Sequence, residues 1–132
     1  VTAMTTPFDE ATRTLLDGRI FPSVATLGPD GAPRSSVVWA RRDGDTVVFV
    51  TGRDARKGRD LARDPRISLA VTDAEDPYKA VEIRGTAKLT EQGADQLIAE
   101  LAHSYTGKDY PTDGAALVTV RIFPEKVVKF GF

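Results

Sequence analysis

Apolar and polar residues recur with two different periods along this chain, and the periods divide it into strands and helices. Thr46–Thr51 (T-V-V-F-V-T) and Arg66–Thr72 (R-I-S-L-A-V-T) carry the β-branched and aromatic residues that suit strands. Lys79–Lys88 alternates, with Val81 and Ile83 on one face, Glu82 and Arg84 on the other, and Gly85 marking a bulge. Phe21–Leu27 and Arg34–Ala40 read as two further strands, separated by the turn-dense run from Gly28 to Pro33. Arg42-Asp-Gly-Asp45 is a hairpin signal, so the first three strands are expected to form an antiparallel meander. Alternation would then place Trp39 on the same strand face as Ser35 and Val37. Leu117–Phe123 and Lys126–Phe132 are expected as two last strands, turned at Pro124-Glu125.

Helical spacing occurs three times. Asp9–Asp17 is a short helix capped by Asp9 and stopped at Gly18, with Leu15 and Leu16 facing the core. Ala55–Arg63 is another, closed by Asp64-Pro65. From Thr90, as cap, to Tyr105 runs the strongest: Ala94, Leu97, Ile98, Leu101, Ala102 and Tyr105 form one apolar stripe. The order is therefore α-β-β-β-α-β-β-α-β-β. Hairpin-joined strands outnumber helices, which argues against a doubly wound parallel sheet. The expected fold is mainly β (α+β), a small antiparallel barrel with helices on its outside. Residues 1–8 are expected as a flexible tail and 9–132 as a single domain.

Composition narrows the chemistry. A chain of 132 residues suits one domain. The formal charge of −1 gives no global steering toward nucleic acid or membrane. There is no cysteine, which removes disulfides, thiolate catalysis and zinc–thiolate sites. With a single histidine, His103, expected to be solvent-exposed, Ser-His hydrolase schemes are poorly supported. Neither a signal peptide nor an apolar run of about 20 residues is present, so a cytoplasmic location is expected.

The most informative segment is Thr51-Gly-Arg-Asp-Ala-Arg-Lys-Gly-Arg59. A strand empties into a loop bearing Arg53, Arg56, Lys57 and Arg59 and opens a helix. Cations and free backbone N–H groups at a helix start suit an anion, most often a phosphate. A solvated basic helix face is an equal reading from this segment alone. Asp73, Glu75 and Asp76 lack the spacing of a calcium loop and read as a solvated turn. Gly28 to Gly31 is a tight turn, not a phosphate loop. Trp39 is core or the wall of an aromatic ligand site; Tyr78 lines a pocket or an interface.

Several of these pieces, in order, resemble one family. They are Gly31-Ala-Pro33, Ser35-Ser-Val-Val-Trp39, Val47–Thr51, Ala55–Leu61, Asp64–Leu69 and Val81–Thr86. Together they are similar to the pyridoxamine 5′-phosphate oxidase-like split β-barrel superfamily, and most to its small F420-dependent (deazaflavin) reductases of actinobacteria. The resemblance implies an FMN-binding-like split barrel that works as a homodimer, with coenzyme F420 (alternatively FMN) at the subunit interface. It implies a phosphate held by Arg56 and Lys57, with Arg53 nearby, and a cofactor lying along Ser35, Ser36, Val37, Val38, Trp39 and Thr51. Pro77 and Tyr78 of the partner would close over it, and the proton would come from Tyr78, Tyr110 or water. The implied reaction is hydride transfer to a conjugated small molecule such as an enone, a quinone or a tetrapyrrole, with no metal, nucleic acid or membrane involved. Two departures bear on the cofactor. Ser36 stands where FMN-binding oxidases of the superfamily usually carry an arginine, and Ala55 where a serine is common. An FMN-binding oxidase or flavin carrier and a non-catalytic binding module of the same fold are the alternatives.

Overall fold

The computed structural model describes residues 5–111 and 116–132. Its elements are α1 (Glu10–Leu16), β1 (Ser23–Leu27), β2 (Pro33–Val37), β3 (Ala40–Asp43), β4 (Thr46–Gly52), α2 (Arg56–Arg63), β5 (Arg66–Thr72), β6 (Ala80–Thr90), α3 (Ala94–Thr106) and β7 (Leu117–Phe130). All seven strands join one antiparallel sheet in the order β2-β1-β5-β6-β7-β4-β3.

The expected meander is not what forms. The run expected as one strand, Arg34–Ala40, is broken at Val38 and Trp39 into β2 and β3, which lie at opposite edges of the sheet. Three residue steps from Val37 to Ala40 reach at most about 10 Å. The two edges must therefore approach each other, so the sheet curls into a half-barrel split along the β2/β3 line. Trp39 sits in this link, outside either strand, and not on a shared strand face with Ser35 and Val37.

Two other boundaries differ. Leu117–Phe130 is one continuous strand rather than two, paired with β6 along its length. Pro124-Glu125 is not a turn; the register shifts there, opposite Arg84 and Gly85, as a β-bulge. A side chain at Gly85 would strike the carbonyl of Phe123, and a bulge tolerates a proline that cannot donate to the ladder. Thr90 ends β6, and α3 is instead opened by Gly93 at φ 79°.

The interior of the half-barrel is filled by Val47, Phe49, Leu69, Ile83, Val120 and Ile122, all sealed from solvent. Helix α1, capped by Asp9 through Thr12 N–H, adds Leu15 and Leu16. Phe8, the last residue of the expected tail, joins the same core. On the opposite face of β4, Val48 is covered by Leu97 and Leu101 of α3. Strand β4 is thus buried on both faces, which explains its almost unbroken apolar run.

Candidate functional site

A cleft of about 330 Å³ opens at the split in the barrel. The end of β2 supplies Val37 and the link supplies Val38 and Trp39; β4 supplies Val50, Thr51 and Gly52; Ile98, Tyr110 and Leu117 complete the wall. Lys57 stands in the same lining. Trp39 is held from both sides: its ring stacks on Tyr105 at 5.7 Å and 17°, and meets Tyr110 edge-on at 6.0 Å and 81°. Tyr105 is fixed in turn, its hydroxyl donating to the Ala40 carbonyl (2.9 Å) and accepting from the Ala40 N–H (3.2 Å).

The cation is placed by backbone packing. Gly58 lies against the carbonyls of Gly52 and Arg53, so close that a Cβ there would stand 2.2 Å from the Gly52 oxygen. Only glycine lets the first turn of α2 fold directly onto the end of β4. Lys57 then reaches across to β2, where its Nζ donates to Ser36 Oγ at 3.0 Å. Its ammonium is half-buried, with no carboxylate partner among the described residues. Burial, and then repulsion from Arg56, lower its pKa from the usual lysine value. Ala55, at the N-cap, offers no side-chain oxygen to the helix start. A partly desolvated cation beside uncapped N–H groups is a fitting site for an anion.

Helix α2 is clamped at its other end by a residue that sequence reading missed. Asp60 is 2% exposed, accepts from Thr26 Oγ1 and from Arg63 at 2.9 Å each, and lies 3.5 Å from Arg34. Burial alone would raise its pKa, but the bonds from Arg63 and Thr26 and the charge of Arg34 lower it. The signal was an aspartate one turn beyond Lys57 on a helix otherwise crowded with arginine.

The expected site residues are only partly assembled. Val37, Val38, Trp39, Thr51 and Lys57 line the cleft, and Ser36 touches it through Lys57. Ser35 is exposed and alternates with Ser36 on β2. Arg56 is exposed at the first position of α2, and Arg53 turns away to pair with Glu91. Pro77 and Tyr78 lie in the β5–β6 loop, outside this cleft; Tyr78 is 87% exposed. Val50, Gly52, Ile98 and Leu117 were not foreseen in the lining.

Elsewhere, His103 is exposed and pairs with Asp109 at 2.7 Å. Asp73 accepts from the N–H groups of Glu75 and Asp76, as a solvated turn does. Among the described residues no cluster of His, Asp or Glu is arranged to hold a metal ion, and no helix is long and apolar enough to cross a membrane.

Comparison with known proteins agrees with this geometry. The family profile described as pyridoxamine 5′-phosphate oxidase matches residues 8–129. A pyridoxine/pyridoxamine 5′-phosphate oxidase of Kineococcus radiotolerans is 38% identical over 66 residues, covering 50% of this chain and 29% of that protein. The counterpart from Cupriavidus metallidurans is 38% identical over 63 residues, 47% of this chain and 30% of that one. The matched stretch thus spans less than a third of either relative's length. Among solved structures, an F420 reductase superposes with a TM-score of 0.83 at 25% identity, covering 92% of this chain and 98% of that chain. A conserved hypothetical protein from Mycobacterium tuberculosis shares the fold at a TM-score of 0.75 and 21% identity, covering 98% and 88%. A profile matched over nearly the whole chain, on a split barrel with its cleft at the split, means that the chain belongs to the pyridoxamine 5′-phosphate oxidase family.

Proposed function

We propose that the chain is one protomer of a homodimeric oxidoreductase that binds coenzyme F420 and reduces a conjugated small molecule. The observation that carries this reading is Lys57: a half-buried ammonium at the cleft, held by a hydroxyl and without a carboxylate partner among the described residues. A phosphate-bearing ring system matches both halves of that site. The likeness to an F420 reductase supports the choice of cofactor.

Bound in this cleft, the reduced deazaflavin would supply a hydride to an enone, a quinone or a tetrapyrrole-like acceptor. The residues present account for holding it. Lys57 and the N–H groups at the start of α2 would bind the phosphate, with Arg56 adding charge from the rim. Trp39, Val50, Ile98 and Leu117 give the ring apolar walls that exclude water. Tyr110, fixed edge-on to Trp39, is the hydroxyl of this protomer suited to pass a proton to the acceptor. Ser36 and Ala55 weigh against FMN, because both remove contacts that would strengthen phosphate binding.

In this reading a second copy covers the rim of the cleft. Val37 belongs to its lining yet is 65% exposed, and the cleft lies near the lower end of the ~300–1,000 Å³ usual for ligand pockets. A partner placed over Val37 would enlarge and close it, and would bring its own Pro77 and Tyr78 as candidates to cover the cofactor.

The test is titration of the purified protein and of Lys57→Ala with F420 and with FMN, followed by visible absorbance and fluorescence. F420 should bind the parent protein more tightly than FMN does. Lys57→Ala should lose about 1.5–3 kcal/mol, tenfold or more in affinity. Tighter FMN binding would replace F420 by FMN in this reading, and no binding of either would reject it.

A further inference from the structure

A second cavity, about 520 Å³, lies behind the stacked pair Trp39 and Tyr105. It is bounded by the end of α1 with the segment that follows (Leu16–Ile20), by β3 (Ala40–Arg42), and by Leu101, Ser104 and Tyr105 of α3. Leu16, Ile20, Ala40 and Leu101 close its floor but are almost wholly buried, so they offer a ligand little surface. Tyr105 adds a half-buried ring whose hydroxyl is already committed to the Ala40 backbone. Its rim is cationic: Arg19, Arg41 and Arg42 converge on it.

The three guanidinium groups are not equivalent. Arg42 is locked by Asp17 through two bonds of 2.9 Å and donates to the Gly44 carbonyl at 3.0 Å. Arg41 pairs with Glu100 at 3.0 Å. Arg19 has no acceptor among the described residues. Asp43 and Asp45 also act on Arg42 but pair with Arg121 and Arg13, so three cations against Asp17 and Glu100 leave one unit of positive charge beside the Tyr105 ring. That balance suits one anion on an apolar body, and the planar fork of Arg19 suits a carboxylate.

From this juxtaposition we propose that the cavity is a binding site for an aromatic monocarboxylate. The ring of the ligand rests against Tyr105, and its carboxylate faces Arg19, with Ser104 as a further donor. The site is separate from the cofactor cleft and does not depend on which cofactor that cleft takes.

The test is calorimetric titration with 2-naphthoate and, as its neutral counterpart, 2-naphthylmethanol. The parent protein should bind the acid at least about tenfold more tightly than the alcohol. Arg19→Gln should abolish that preference while leaving the alcohol's affinity unchanged. Ser104→Phe, which fills the cavity from an exposed helix position, should block both probes. Lys57→Ala should change nothing, because Lys57 serves the other cleft. Equal affinity for the two probes, no measurable binding, a preference that survives Arg19→Gln, or loss of binding in Lys57→Ala would each overturn the proposal. A thermal melt of each variant confirms the fold before titration.

Discussion

Asp60 and Thr26 meet through a 2.9 Å hydrogen bond between a carboxylate and a hydroxyl that are both sealed from solvent. The bond joins α2, which carries Lys57, to β1. With Arg63 and Arg34 it leaves the buried carboxylate fully partnered. Asp60→Ala should remove that partnership and strand Thr26, costing about 1–3 kcal/mol in urea denaturation. The figure stays below that for breaking a fully buried ion pair, because Arg34 and Arg63 are partly exposed and can turn to water. The pH dependence has a definite sign. Asp60 titrates below the ordinary carboxylate value of 3.8 in the folded protein. Its stabilisation is therefore complete above that value and is lost as pH falls through the depressed folded pKa. Acid titration of parent and Asp60→Asn should show a shallower loss of stability in the variant; parallel curves would remove Asp60 from the account.

What the sequence revealed and what it hid follow from the same physics. Strands with one face inward, β5 above all, were legible residue by residue because their apolar period is two. The break at Val38–Trp39 was invisible because the apolar pattern runs straight through it, and only three-dimensional closure demands a crossing. Pro124 looked like a turn because proline usually ends a strand; the bulge opposite Gly85 absorbs it. Lys57 was legible as a cation at a helix start. Its half-burial and its reach to Ser36 depend on Gly58 packing against Gly52, a contact that no local pattern encodes. Asp60 was hidden for a further reason: its partners come from β1, β2 and its own helix.

Gly58 gives the second prediction. Gly58→Ala would normally favour a helix, by roughly 1 kcal/mol on propensity alone. Here the added methyl would meet the Gly52 and Arg53 carbonyls at 2.2 and 2.7 Å, and both are backbone atoms that cannot swing aside. The substitution should instead destabilise by about 1–3 kcal/mol, as overpacking does. It should also weaken anion binding, because the first turn of α2 must lift away from β4. Chemical denaturation and a phosphate titration check both effects. A variant more stable than the parent would show that this contact is not tight in solution.

Tyr105 gives the third. Removing its hydroxyl in Tyr105→Phe leaves the Ala40 N–H and carbonyl without that partner, next to the wall of the cleft. The expected cost is about 1–3 kcal/mol. Trp39 is the sole tryptophan and stacks on this ring, so its emission reports the change directly. The spectrum should shift toward that of a more mobile, wetter indole. An unshifted spectrum at unchanged stability would mean that stacking alone holds the pair.

Lys57 gives the fourth, through pH. Burial and the neighbouring Arg56 lower its folded pKa below the ordinary lysine value of 10.5. In the free protein the ammonium therefore loses its proton earlier, as pH rises, than an exposed lysine does. A bound phosphate favours the charged form, so binding raises the pKa back and takes up a proton in the alkaline range. Affinity for a phosphate-bearing ligand should consequently fall as pH climbs through the depressed value and continue to fall toward the pKa of the complex. Lys57→Arg keeps its charge over this range and should flatten the profile, although the planar fork need not match the geometry of the ammonium. Inorganic phosphate, titrated against both proteins across the alkaline range, is a sufficient probe. Parallel profiles in the two would assign the anion to the helix N–H groups and Arg56 rather than to the lysine.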